Sequence, residues 1–197
     1  MQTTTIYLLR HAHTTPSPRY APDFDWPLDE QGGSQAEALV PILDDLGIDV
    51  VCASPQLRAV ETATPFATHA GFQVQGLEGL KECGFNRVWA VDFAALVQNH
   101  WADFDFAQPE CETHRSCQSR FLSTLVDVGR RHAGQSVVCC SGGQAIGLAL
   151  NSVDPTYGFD NWKATRTPDL FRVQLDDDRM TWDRDFVSPG LESLLDD

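Results

Sequence analysis

An arginine and two histidines follow the first apolar run of the chain, in the stretch LLRHAHTTP at residues 8–16. A neutral imidazole is a competent nucleophile toward phosphorus, and an arginine fork binds phosphate oxygens in pairs. Arg10 and His11 therefore point to phosphoryl transfer through a phosphohistidine. The spacing of His11 and His13 also suits two metal ligands, but the sequence offers no matching cluster of further ligands. We expect neither a metal nor another cofactor.

Two later segments have the same build, a short apolar run followed by a turn and a helical pattern: VVCASPQLR and VVCCSGGQAIGL. The first supplies Arg58 as a second cation for a phosphate. The second places Ser141 and Gly142 at a helix start, where backbone N–H groups and the helix dipole favour an anion. Glu82, in GLKECGF, is the candidate carboxyl group that protonates the leaving alkoxide. Because arginines neutralise the phosphoryl oxygens, this chemistry needs no metal.

The elements that must position these residues are strands that alternate with helices. The runs IYLL, VVCA and VVCC are continuous, which is typical of strands buried on both faces of a mainly parallel sheet. This alternation predicts an α/β fold. In open α/β sheets ligands bind beyond the carboxyl ends of the strands, which is where Arg10, Arg58 and Ser141 fall.

The periodicity predicts helices over 34–46 and 117–132, the first opened by a capping box of Ser34 and Glu37. Near the C-terminus, LFRVQL and MTWDRDF flank an Asp-rich turn and predict a hairpin at the sheet edge. With 197 residues, the chain suits a single domain over 1–197. The aromatic region at about 83–115 is either a lid or insertion over the site or a second patch of core.

The net charge of −14, from 28 acidic and 14 basic residues, argues against a nucleic-acid partner and against an anionic membrane surface. No run reaches the ~18 apolar residues of a membrane span. Three of the six cysteines lie in apolar runs, where cysteine acts as a small hydrophobe. We expect reduced thiols and a cytoplasmic location.

Together these segments resemble the motifs of the histidine phosphatase superfamily, which has the phosphoglycerate-mutase-like fold. RHAHT stands where the family has Arg-His-Gly-Glu/Gln-Thr, and the next family motifs resemble, in order, PLDEQGGSQA, SPQLRAVETA and LKECGF. The resemblance implies a three-layer α/β/α sandwich. It also implies His11 as phosphate acceptor, Arg10 and Arg58 as a clamp, and Glu82 as proton donor. The length favours the small phosphatases over the mutases, which carry longer insertions.

The chain departs from the family at its last motif, Ser-His-Gly-Gly. Here the letters are CSGG, so that Ser141 stands in the place of the second histidine. A serine hydroxyl donates one hydrogen bond but carries no positive charge, which predicts reduced activity and a gain in Ser141→His. Ser17 stands where many members place a phosphate-contacting asparagine. Three residues are candidates to compensate for the missing histidine: His13, His114 and Gln144.

Two hypotheses follow. The first is a metal-independent phosphomonoesterase of reduced activity, acting on a small phosphorylated substrate or a phosphoprotein. The alternative is a catalytically impaired pseudo-phosphatase that binds a phosphorylated ligand or protein partner without turnover. Turnover that disappears in His11→Ala distinguishes them.

Overall fold

The computed structural model describes residues 2–15, 26–84, 93–109, 111–188 and 190–191. Within these residues the continuous apolar runs form one six-stranded sheet. Its strands are β1 (Thr4–Arg10), β2 (Val50–Ala53), β3 (Gln75–Gly76), β4 (Ser136–Ser141), β5 (Asp169–Asp176) and β6 (Arg179–Asp183). The helices are α1 (Glu30–Asp45), α2 (Leu57–Ala70), α3 (Phe93–Ala102), α4 (His114–Arg131), α5 (Gly143–Val153) and α6 (Phe159–Ala164), with a 3₁₀ turn at Glu78–Leu80.

The sheet is mixed but mostly parallel, with the strand order β3-β2-β4-β1-β5-β6. β1 lies at its centre, parallel to β4 and antiparallel to β5. β2 is parallel to both β3 and β4. β5 and β6 form the antiparallel hairpin at the edge that the Asp-rich turn predicts.

Both faces of the sheet are buried, because successive side chains of a strand point to opposite faces. In β1, Ile6 and Leu8 join one hydrophobic cluster, whereas Tyr7 and Leu9 join another. Helices α3, α4 and α5 contribute to the first cluster, and α1 and α2 to the second. Helices therefore cover both faces, and the predicted three-layer α/β/α sandwich is confirmed.

The predicted start of the first helix is wrong. α1 begins at Glu30, and its N-cap is Asp29, whose carboxylate accepts from the Gly32 amide. The hydroxyl of Ser34 donates instead to the Glu30 carbonyl at 3.1 Å, inside the helix, so it forms no capping box. The sequence does not predict this first turn as helix, because it contains two glycines and glycine is a poor helix former. The second helix also begins slightly early, at His114.

The aromatic region at about 83–115 falls partly outside the described residues, which exclude Phe85 and Trp89. In the described part, Leu96, Val97 and Trp101 of α3 are buried in the first hydrophobic cluster. This part of the region is core, while a lid over the site stays a prediction. No helix within the described ranges is both long and apolar enough to cross a bilayer.

Candidate active site

The carboxyl ends of β1 and β4 lie side by side and bring the predicted residues to one edge of the sheet. Arg10 is the register partner of Ser141, and the His11 amide donates to the Ser141 carbonyl at 3.0 Å. Arg58 lies in the first turn of α2, and its charge acts on both His11 and Glu82. The structure therefore brings the predicted nucleophile, clamp and acid together.

The His11 ring is held in one tautomer. Its Nδ1 lies 2.8 Å from the Ala12 carbonyl oxygen, which can only accept, so Nδ1 carries the proton. Burial and then the charge of Arg58 lower the pKa of His11 to about 3, although the bond to Ala12 opposes this shift. The imidazole is therefore neutral near physiological pH. Its Nε2 lone pair is available for attack on phosphorus.

Arg10 has unused donors. One terminal nitrogen donates to the Thr165 carbonyl at 2.7 Å, while the buried Nε has no hydrogen-bond partner among the described residues. Burial lowers the pKa of Arg10, whereas the charges of Glu82 and Asp169 raise it. A guanidinium has five N–H donors, so an anion can satisfy those that Thr165 leaves.

Thr165 and Asp169 are neighbours of Arg10 that the sequence does not predict. Asp169 is the β5 register partner of Arg10, and it is buried. The hairpin pattern predicts β5 itself but not the strand to which it pairs. The antiparallel pairing of β5 with β1 is what brings both residues to the site.

Arg58 is buried, and its guanidinium lies over the Trp26 ring, 5.5 Å from the ring centre. A cation–π contact of this kind helps to hold the cation in place. The turn that precedes Arg58 is hydrogen-bonded to the backbone of Glu82, the predicted proton donor. The Gln56 side-chain oxygen accepts from the Ser54 hydroxyl at 3.1 Å and from the Glu82 amide at 2.8 Å.

The Glu82 carboxyl group caps α5. One of its oxygens accepts from the Cys83 and Ala145 amides at 2.8 and 2.7 Å, and the other accepts from the Gln144 amide at 2.9 Å. Burial raises the pKa of Glu82, although these amides and Arg58 oppose the shift. A raised pKa favours the protonated carboxyl group, which is the form that a proton donor needs.

The end of β4 carries no side chain directed at a ligand. Ser141 is fully buried, and its hydroxyl donates to the Leu80 carbonyl at 2.5 Å, so its only proton is used inside the protein. Since side chains alternate along a strand, Ser141 shares a face with its register partner Arg10. The next residue, Gly142, is the one level with His11. A Cβ built on Gly142 would overlap the Glu82 carboxylate, so Glu82 fills the space of a side chain there.

Two of the three candidates to compensate for the missing histidine, His114 and Gln144, are hydrogen-bonded to each other. His114 is fully buried against Trp101 and Phe104, and its Nε2 lies 3.1 Å from the side-chain oxygen of Gln144. Burial lowers the pKa of His114 to about 4. His13 differs because 43% of its side chain is exposed. Ser17 lies outside the described residues.

One cluster of side chains has the composition of a metal site, with ligand atoms of Cys83, Glu112 and Cys117 within 4.8 Å of one another. Arg120 already neutralises it. Its guanidinium donates to both Glu112 oxygens, at 3.0 and 2.7 Å, and lies 3.5 Å from the Cys117 sulfur. A cation would have to displace this guanidinium to bind.

The model of the histidine phosphatase superfamily (branch 1) matches residues 6–184. The chain therefore belongs to the histidine phosphatase superfamily. No curated protein sequence matches it.

Solved structures share the fold at low identity. A mycobacterial glucosyl-3-phosphoglycerate phosphatase has a TM-score of 0.75 at 17% identity, over 95% of this chain and 99% of that one. YhfR of Bacillus stearothermophilus has a TM-score of 0.75 at 20% identity, over 91% of this chain and 95% of that one. A phosphoserine phosphatase mutant of Entamoeba histolytica, in complex with phosphoserine, has a TM-score of 0.73 at 17% identity, over 91% and 94%.

Proposed function

We propose that this protein is a metal-independent phosphomonoesterase that works through a phosphohistidine on His11. The observation that carries the proposal is the His11 ring, which is neutral and held in one tautomer beside two arginines. Fixing the tautomer and removing the ring proton from Nε2 are the two conditions that a histidine nucleophile requires. The family match and the phosphatase structures of the same fold support this class of reaction.

In the first step the Nε2 lone pair of His11 attacks phosphorus, and the N–P bond forms as the bond to the leaving oxygen breaks. Glu82 gives its proton to that oxygen, so an alcohol leaves rather than an alkoxide. Arg10 and Arg58 neutralise charge on the phosphoryl oxygens. In the second step water attacks phosphorus, its proton passes to Glu82, and the N–P electrons return to Nε2 as inorganic phosphate leaves.

We infer that the substrate is a small phosphomonoester or a phosphorylated side chain. The relatives in the same fold are named for glucosyl-3-phosphoglycerate and for phosphoserine. We expect a lower rate than that of a site with a further imidazole at the end of β4. The reason is the end of β4, where Ser141 uses its hydroxyl internally and Gly142 has no side chain.

The test is hydrolysis of an aryl phosphate in the presence of a chelator, from about pH 5 to about pH 8. Wild type is compared with His11→Ala and with His69→Ala, a control that removes an exposed histidine at the end of α2. We expect turnover in wild type and in the control, and none in His11→Ala. Because the pKa of His11 is about 3, the nucleophile stays neutral over the whole range.

Two other outcomes would redirect the proposal. Equal rates in wild type and His11→Ala would remove His11 as nucleophile. Vanadate binding without turnover in any of the proteins would favour the alternative function, a pseudo-phosphatase that holds a phosphorylated ligand.

A further inference from the structure

A second imidazole lies beside His11, and α1 holds its backbone. The His13 amide donates to the Gln35 side-chain oxygen at 2.9 Å, and the His13 carbonyl accepts from the Asp29 amide at 3.4 Å. Gly32 allows this approach, because a Cβ there would overlap the His13 carbonyl oxygen. Three residues of the PLDEQGGSQA segment, Asp29, Gly32 and Gln35, thus serve to position one histidine.

The ring of His13 is oriented as firmly as its backbone. Its Nδ1 lies 2.6 Å from one oxygen of Asp29, which also accepts from the Thr15 hydroxyl at 2.7 Å. The other Asp29 oxygen accepts from the Gly32 amide at 2.9 Å. Burial alone would raise the pKa of Asp29, but these hydrogen bonds lower it overall. Asp29 is therefore an ionised acceptor, so Nδ1 of His13 carries a proton and Nε2 lies on the opposite side of the ring.

The position of His13 suits the phosphoryl group. It follows His11 by two residues just beyond the end of β1, within electrostatic range of the His11 ring. Its side chain is 43% exposed, so a ligand can approach the ring from solvent. His114, the other spare histidine near the site, is fully buried and bonded to Gln144.

We propose that His13, held by Asp29, is the second imidazole of the phosphoryl site and donates from Nε2 to a non-bridging phosphoryl oxygen. A ring that donates from both nitrogens is an imidazolium, and it then lies between two negative groups, the Asp29 carboxylate and the phosphoryl oxygens. Its Nε2 proton comes from solvent or from a phosphate monoanion. His13 thus supplies on the β1 side the charge that Ser141 and Gly142 do not supply on the β4 side. This inference rests on the proposed phosphoryl site, but not on turnover.

The first test measures binding of inorganic phosphate by calorimetry in wild type and His13→Asn. The asparagine amide reaches the position of Nδ1 and keeps the bond to Asp29, but it ends short of Nε2. Loss of a charged hydrogen bond should weaken phosphate binding about 10- to 100-fold. The matched control is His69→Asn, which should bind phosphate as wild type does.

The second test needs no substitution and therefore does not depend on the folding of a variant. In ¹⁵N-histidine spectra of wild type, added phosphate should shift the His13 Nε2 resonance, because this nitrogen enters a hydrogen bond to an anion. A purely structural His13 would show no change at Nε2. Unchanged phosphate binding in folded His13→Asn, or an unchanged Nε2 signal in phosphate-saturated wild type, would overturn the assignment.

Hydrolysis assays on the same preparations separate this inference from the proposed function. Wild type that binds phosphate through His13 but does not hydrolyse the aryl phosphate supports His13 and removes the phosphatase. Hydrolysis in wild type together with unchanged phosphate binding in His13→Asn supports the phosphatase and removes His13. Wild type that does not bind phosphate or vanadate overturns both.

Discussion

The ends of β1 and β4 are neighbours in the sheet but have opposite chemistry. The end of β1 carries Arg10, His11 and His13, whose side chains are bonded to Thr165, to the adjacent Ala12 and to Asp29, respectively. The end of β4 carries a buried serine followed by two glycines, and the Glu82 carboxyl group accepts from the adjacent helix amides. The site is therefore asymmetric. Its charged and imidazole groups come mainly from the β1 side, while the β4 side holds the acid in place.

Among the variants that test this asymmetry, Glu82→Gln should give the largest effect, because it removes the proposed proton donor. We expect the rate of aryl phosphate hydrolysis to fall about 10²-fold or more, the range typical of a general acid. The matched control is Glu78→Gln in the preceding 3₁₀ turn, where the carboxylate is mostly exposed. Equal rates in wild type and Glu82→Gln would mean that Glu82 only caps α5.

Arg58→Lys tests the contribution of the second guanidinium, whose charge acts on Glu82. Lysine keeps the positive charge but loses the planar fork, so KM should rise about 10-fold or more while the fold is kept. Steady-state kinetics measure this, with Arg130→Lys on the exposed end of α4 as the control. A variant with wild-type KM would leave Arg10 as the sole guanidinium that the phosphate needs.

Ser141→His tests the effect of a histidine at the end of β4. The sequence alone predicts a gain in activity, but the structure makes us expect a loss of stability instead. Ser141 is fully buried, bonded to the Leu80 carbonyl, and on the sheet face of Arg10 rather than of His11. Overpacking a site of this kind costs about 1–3 kcal/mol. Urea denaturation measures it, and a stable variant with higher activity would contradict the placement of Ser141.

Acid should destabilise the fold through His11 and His114, and this is the smallest of the expected effects. In the folded state the pKa of His11 is about 3 and that of His114 about 4, whereas unfolded histidines take up protons near 6.5. Between about pH 4 and 6.5 the unfolded chain binds more protons, so the stability that these histidines contribute falls as pH falls. His11→Asn should lose less stability than wild type between neutral pH and about pH 5. Denaturant titrations at both pH values measure the loss of stability in each protein. Equal losses in wild type and His11→Asn would contradict the prediction.

The sequence predicts the sheet, the layers and the clustering of His11, Arg10, Arg58 and Glu82 well, because each of them follows a recognisable apolar run or motif. It does not predict which residue after β4 faces the nucleophile. The letters SGG align with a family motif in more than one way, and only the register of β4 with β1 places Gly142 rather than Ser141 level with His11. The sequence does not predict the contacts of Arg10 either, because they depend on the pairing of β5 with β1.

His13 is a second case in which the sequence leaves the role of a residue open. The sequence offers His13 and His114 as equal candidates for a second imidazole. Burial and partners separate them, because His114 lies inside the core and His13 lies at the surface with Asp29. Such a distinction depends on long-range packing, which a local pattern does not contain.

The place of β1 in the sheet has a consequence for synthesis of the protein. The strand that carries the nucleophile emerges first from the ribosome, but its two neighbours, β4 and β5, emerge near the end. Pairings of such high sequence separation form late and slowly in folding. A nascent chain that ends before β4 therefore holds β1 without either neighbour, and one that ends before Thr165 has no contact from that residue to Arg10. The phosphoryl site becomes complete only when translation has passed the hairpin.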